Sequence, residues 1–78
     1  MNSKLKNSDT DFLFKAILSL ENEEECYRFF EDLCTSPELK AMSQRLVVAK
    51  MLTEKKVYSE IVKETGARTA TISREKRD

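Results

Sequence analysis

The residues best suited to chemistry lie between Tyr58 and Arg74, where Arg68, Thr69, Thr71, Ser73 and Arg74 surround the small Ala70. Their hydroxyl and guanidinium groups can reach phosphate oxygens and base edges, and small residues among them let a backbone approach a groove floor. Covalent catalysis is a poor fit. The chain has no His, its two cysteines have no base beside them, and its carboxylates fall at helix starts or on solvated faces.

To present that set, the stretch needs two short helices around one glycine. The first is predicted from about Tyr58 to Thr65, with Ile61 and Val62 inward. Gly66 then ends it in a left-handed conformation, which glycine adopts without steric cost. The second starts near Arg68 or Thr69 and docks through Ala67 and Ile72. This is the layout of a helix-turn-helix, whose second helix enters the major groove of DNA. Arg68, Thr69, Ala70, Ser73 and Arg74 are the candidates for the groove, and Lys56, Lys76 and Arg77 for phosphates. Two positions depart from the pattern. Val57 stands where a capping Ser, Thr, Asp or Asn is favoured, and Thr65 takes an inward place usually held by a larger apolar group.

The rest of the chain reads as the support for this reader. Residues 1–8 are polar and are expected to form a flexible arm. Asp9, Thr10 and Asp11 offer oxygens for a helix start, followed by Phe12, Leu13, Phe14, Ile17, Leu18 and Leu20. These apolar residues cover more than one face, so the helix should be sandwiched by other elements or by a partner chain. Asn22 with Glu25 suggests a capping box for the next helix. The run Glu23-Glu24-Glu25 then lies in the first turn, where the helix dipole favours negative charge. That helix carries Cys26, Tyr27, Phe29, Phe30, Leu33 and Cys34, an aromatic set better suited to a core or dimer interface than to base stacking.

Ser36-Pro37 signals a restart, with Ser as cap and Pro in the first turn. A helix to about Glu54 is predicted to turn Leu39, Met42, Leu46, Ala49 and Leu52 or Met51 inward, with Arg45 beside that stripe. The expected fold is thus all-α: about five helices in one domain over residues 9–78. Within it, residues 9–54 supply the core and dimerisation helices and residues 57–75 the helix-turn-helix.

Composition agrees with this outline. Seventy-eight residues suffice for one small domain that is marginal by itself. Net charge is zero, but it is unevenly spread. Residues 1–36 hold 4 Lys/Arg against 8 Asp/Glu, and residues 37–78 hold 10 against 6, so the cationic excess travels with the predicted reader. Cys26 and Cys34, eight residues apart on one predicted helix, are too distant for a disulfide. Without His or a CxxC motif no metal site is expected. No apolar run is long enough to span a membrane, and no signal peptide is apparent, so a reducing cytoplasm is the expected compartment.

Several blocks together resemble one family. These are Ser36-Pro37-Glu38-Leu39, Gln44-Arg45, Ala49-Lys50-Met51-Leu52, Thr65-Gly66-Ala67 and Ala70-Thr71-Ile72-Ser73-Arg74, preceded by Asp11-Phe12-Leu13 and the block from Glu24 to Leu33. Over roughly residues 9–77 the chain is similar to the tryptophan repressor superfamily, closest to its bacterial Trp-repressor-like branch of unassigned ligand. The resemblance implies a bacterial DNA-binding transcriptional regulator. It also implies an intertwined homodimer, with two helix-turn-helix units facing successive major grooves of a two-fold-symmetric operator. The resemblance also implies a further helix, used in the dimer, which is either absent here or belongs to a chain longer than this one.

In that family two arginines sandwich an indole corepressor. Arg45 and Arg74 match them, and with Thr71 they are the candidate ligand-binding residues. Stacked guanidinium planes suit an aromatic amino acid such as tryptophan. Glu75 stands where the repressor has glycine, and Asp78 where it has serine. Those carboxylates would crowd the ligand and repel its own carboxylate, so no cofactor is expected. The alternative expectation is a helical protein-interaction module with a vestigial helix-turn-helix.

Overall fold

The computed structural model describes residues 4–76. Five helices follow one another without a strand among the described residues: α1 (Ser8–Leu18), α2 (Glu23–Leu33), α3 (Ser36–Thr53), α4 (Tyr58–Thr65) and α5 (Thr69–Glu75). The described residues divide into two compact units, one ending at Leu33 and the other beginning at Cys34. No helix among the described residues is long and apolar enough to cross a membrane.

In the first unit, α1 begins at Ser8. Its cap is Asn7, whose side chain accepts a hydrogen bond from the Thr10 backbone at 2.9 Å. The start therefore lies ahead of the Asp9–Asp11 oxygens that the sequence suggested. The start of α2 uses Asn22 and Glu25 as expected, with one difference. Glu25 N–H donates to Asn22 Oδ1 at 2.9 Å, but the Glu25 carboxylate reaches the backbone N–H of Glu21, also at 2.9 Å, one residue beyond the cap. Neither α1 nor α2 contains a buried residue. Phe12 (76% exposed), Leu18 (84%) and Tyr27 (62%) stand in solvent.

The second unit holds the core: Val48, Met51, Ile61, Ala67 and Ile72. Its long helix, α3, starts one residue earlier than predicted. The cap is Thr35, whose hydroxyl accepts from Glu38 N–H while the Glu38 carboxylate accepts from Thr35 N–H. Glu38 is three residues after Thr35 and only two after Ser36, so only Thr35 can close this reciprocal box. The bond from the Thr35 backbone, and after it the Thr35 side chain, favour the charged carboxylate and hold the Glu38 pKa below its ordinary value.

The face that α3 buries also differs from expectation. Leu46 is 73% exposed and Met42 39%, whereas Val48 is fully buried and Met51 nearly so, with Leu52 packed beside them. Apolar residues occur on all sides of α3, and α4 and α5 pack on the side that carries Val48 and Met51. Cys34 lies just past the end of α2 rather than on it, and both cysteines are free.

α3 ends in a Schellman turn. Lys56 N–H donates to Met51 O, and Lys55 N–H to Leu52 O, each at 3.0 Å, around a left-handed Lys55 with φ of 61°.

Candidate nucleic-acid interface

α4 and α5 form the predicted helix, turn and helix. Ile61 from α4, Ala67 from the turn and Ile72 from α5 are buried against α3. Val62 is 42% exposed and does not share that core. It follows Ile61 by about 100° around the helix axis, which turns it toward the edge of the face that α3 and α5 cover. Gly66 takes φ of 69° and donates to Val62 O at 2.9 Å, closing α4.

Thr65 is half-buried, and its hydroxyl has backbone partners. It donates to Ile61 O at 2.7 Å and accepts from Ala67 N–H at 3.0 Å. A larger apolar side chain would lose this brace across the turn. Val57 caps α4 without a side-chain bond, as its type requires.

With Ile72 inward, helical geometry fixes the rest of α5. Ala70 and Arg74, four residues apart, lie farthest from the core. Thr69 and Ser73 share one shoulder, while Thr71 and Glu75 share the other. Exposure follows this wheel: Thr69, Ala70, Ser73 and Arg74 are exposed, and Thr71 and Glu75 are half-buried. Arg68 precedes the helix in extended backbone and is exposed. The structure thus brings Thr69, Ala70, Ser73 and Arg74 to one exposed face, with Arg68 at its leading end.

Lys56 and Lys76 flank this pair of helices. Lys56 Nζ lies 3.9 Å from Glu60 Oε2, a half-exposed pair. Lys76 Nζ sits 5.5 Å from the centroid of the Tyr58 ring, within range of a cation–π attraction. Arg77 and Asp78 lie outside the described residues.

The candidate ligand residues are less closely assembled. Arg45 is half-buried on α3 and Arg74 is exposed on α5, and neither takes part in an ion pair among the described residues. A groove of about 590 Å³ beside α3 and α5 is lined by Ala49, Leu52, Thr53, Lys55, Glu75 and Lys76, and not by Arg45, Thr71 or Arg74. Sequence reasoning missed three contributors to this region: Lys55, Tyr58 as the seat of Lys76, and Gln44. A Lys-Lys pair after a helix gives no hint of a left-handed turn, and the Tyr58–Lys76 contact joins residues eighteen apart.

Helix, glycine turn and helix braced on a long third helix define an all-α protein of the helix-turn-helix class. The family described as Trp repressor protein matches residues 8–78. The chain belongs to the Trp repressor family, whose members are DNA-binding regulators rather than enzymes. It is 58% identical over 74 residues to the uncharacterized Bacillus subtilis (strain 168) protein YerC, an alignment covering 95% of this chain and 71% of YerC. It superposes with a TM-score of 0.90 on a Staphylococcus aureus protein described provisionally as a Trp repressor, at 55% identity, covering 96% of this chain and 76% of that one. A TrpR-like protein from Eubacterium eligens ATCC 27750 gives the same TM-score at 54% identity, covering 95% and 76%.

Proposed function

We propose that this protein is a sequence-specific DNA-binding transcriptional regulator of the bacterial cytoplasm, acting as a homodimer on a two-fold-symmetric operator. The observation that carries this reading is the exposed face of α5. Ala70 offers close approach, Thr69 and Ser73 offer hydroxyls, and Arg68 and Arg74 offer guanidinium forks for base edges and phosphates. Lys56, Lys76 and Arg77 add phosphate contacts at either end of the motif. Residues 57–75 are the reader and share the core with α3, and residues 9–54 supply the dimerisation helices.

The case for a dimer rests on α1, α2 and the outer side of α3. Phe12, Leu18, Tyr27 and Leu46 are more than half exposed, more large apolar surface than a chain this small usually leaves in water. A second copy wrapped around these helices would bury it. Regulation by an amino acid is disfavoured by Glu75. Its carboxylate lies on the α5 shoulder beside Thr71, where a ligand held by Arg45 and Arg74 would meet like charge.

The test is selection of bound sequences from random duplexes at fixed salt, with and without added amino acids. Enrichment of a symmetric site without ligand is the expected result. Enrichment only with an added aromatic amino acid would restore a corepressor. Failure to enrich any site would remove the regulator reading.

A further inference from the structure

We propose that Lys55 and Lys76 together form a contact for the DNA sugar-phosphate backbone where the start of α4 meets the end of α5, with Tyr58 as the positioning residue for Lys76. This inference rests on the reading of the chain as a DNA-binding regulator and deepens it. The two lysines are twenty-one residues apart, yet they line the same groove. Lys55 enters from the turn that closes α3, and Lys76 from the residue that ends α5.

Three observations converge on that groove. Lys55 holds a left-handed backbone, φ of 61°, the only non-glycine residue to do so among those described. Glycine would make the same turn freely. Strain of this kind, kept at a long cationic side chain, is a pointer to function. Lys76 has a seat of its own: its ammonium lies 5.5 Å from the Tyr58 ring centroid, within range of a cation–π attraction that favours this direction. Finally, neither lysine belongs to an ion pair among the described residues, whereas Lys56 next to them is matched with Glu60. Glu75 shares the groove without pairing with either, so the lining holds two lysines against one glutamate and is net cationic.

Two lysines brought to one groove from separate segments suit a ligand with anionic charges at intervals, as successive phosphodiesters have, better than one compact anion. A recognition helix in a major groove is flanked by backbone, and Lys76 directly follows that helix. Contacts of this kind add affinity and salt dependence without sequence preference.

Binding of the full chain to two labelled duplexes, one selected and one scrambled, tests the contact across a salt series. Lys55→Gly separates structure from function, because it relieves the backbone while deleting the charge. We expect a higher Tm together with several-fold weaker binding to both duplexes. The slope of log K against log salt should become shallower by about 0.9 for each chain bound. Tyr58→Phe, which keeps the ring, should match wild type. Tyr58→Leu should reproduce the loss seen in Lys76→Gln, and the double variant should lose no more. A more stable Lys55→Gly protein with unchanged affinity and slope would overturn the contact. So would a loss confined to the selected duplex, which would mean base reading. Wild-type protein that binds neither duplex would overturn the regulator reading and this contact with it.

Discussion

The side-chain amide of Gln44 donates a hydrogen bond of 3.1 Å from Nε2 to the backbone carbonyl of Thr65, tying the middle of α3 to the last residue of α4. Thr65 in turn braces the glycine turn through its own hydroxyl. One chain of bonds thus runs from the supporting helix into the turn that orients α5. Gln44→Leu leaves the partly buried Thr65 carbonyl without its protein partner. It is expected to cost about 1–2 kcal/mol in urea unfolding. An unchanged midpoint would show that water replaces the amide without loss.

Gly66 tests the backbone alone. A methyl group there would meet nothing within 4 Å, but φ is 69°. Gly66→Ala should therefore destabilise by about 1–2 kcal/mol through conformation rather than collision. Because no clash is created, the variant should keep its helical circular dichroism at low temperature. A stability equal to wild type would mean that the turn relaxes away from the left-handed region.

The box at the start of α3 predicts a pH dependence. Glu38 is held below its ordinary value near 4.5, first by its bond from the Thr35 backbone and then by the Thr35 side chain. Its contribution to stability is present above that value and is lost as pH falls through the lower folded pKa. Thr35→Ala removes one of these causes. The variant should be less stable than wild type at neutral pH, and the gap should narrow in acid. Parallel stability curves between about pH 6 and about pH 3 would argue against the box as a source of acid sensitivity.

Arg68 stands exposed at the leading end of α5. Arg68→Ala should weaken binding to a selected operator by about 1–3 kcal/mol, the scale of one good base contact, and relax sequence preference at one position. Titrations with selected and mutated duplexes would read both effects. Equal affinity and equal preference would remove Arg68 from the reader.

Leu18 is 84% exposed on α1. If a second copy covers α1 and α2, Leu18→Lys buries a charge in that interface and should shift the protein from dimer toward monomer. Sedimentation at matched concentrations would measure the shift. An unaltered molecular mass would place the interface elsewhere.

Much of this architecture was legible in the sequence. The five helices announce themselves through their apolar runs and through Asn22, Pro37 and Gly66. Ile61, Ala67 and Ile72 were identifiable because α4 and α5 are short and polar, leaving few apolar candidates for docking. The illegible parts have physical causes. α3 carries apolar residues all round, so periodicity could not separate the Leu46 side from the Val48 side, and only packing against α4 and α5 did so. Ser36 before Pro37 looks like a cap until Glu38 is seen to complete a box with Thr35. The outward face of α5 followed once Ile72 was placed. The groove lined by Lys55 and Lys76 did not, because it depends on a left-handed lysine and on contacts between residues far apart in sequence.

α3 buries Val48 and Met51 on one side and carries Met42, Leu46 and Val47 exposed on others. In a library of all single substitutions, α3 should tolerate changes chiefly at solvent-facing Lys40, Ser43 and Lys50. If a second copy covers the Leu46 side, polar replacements at Leu46, harmless to a folded monomer, should be rejected wherever the assembled regulator is selected for. The helix would then record two selection pressures in one stretch of eighteen residues, one from the chain's own core and one from its assembly.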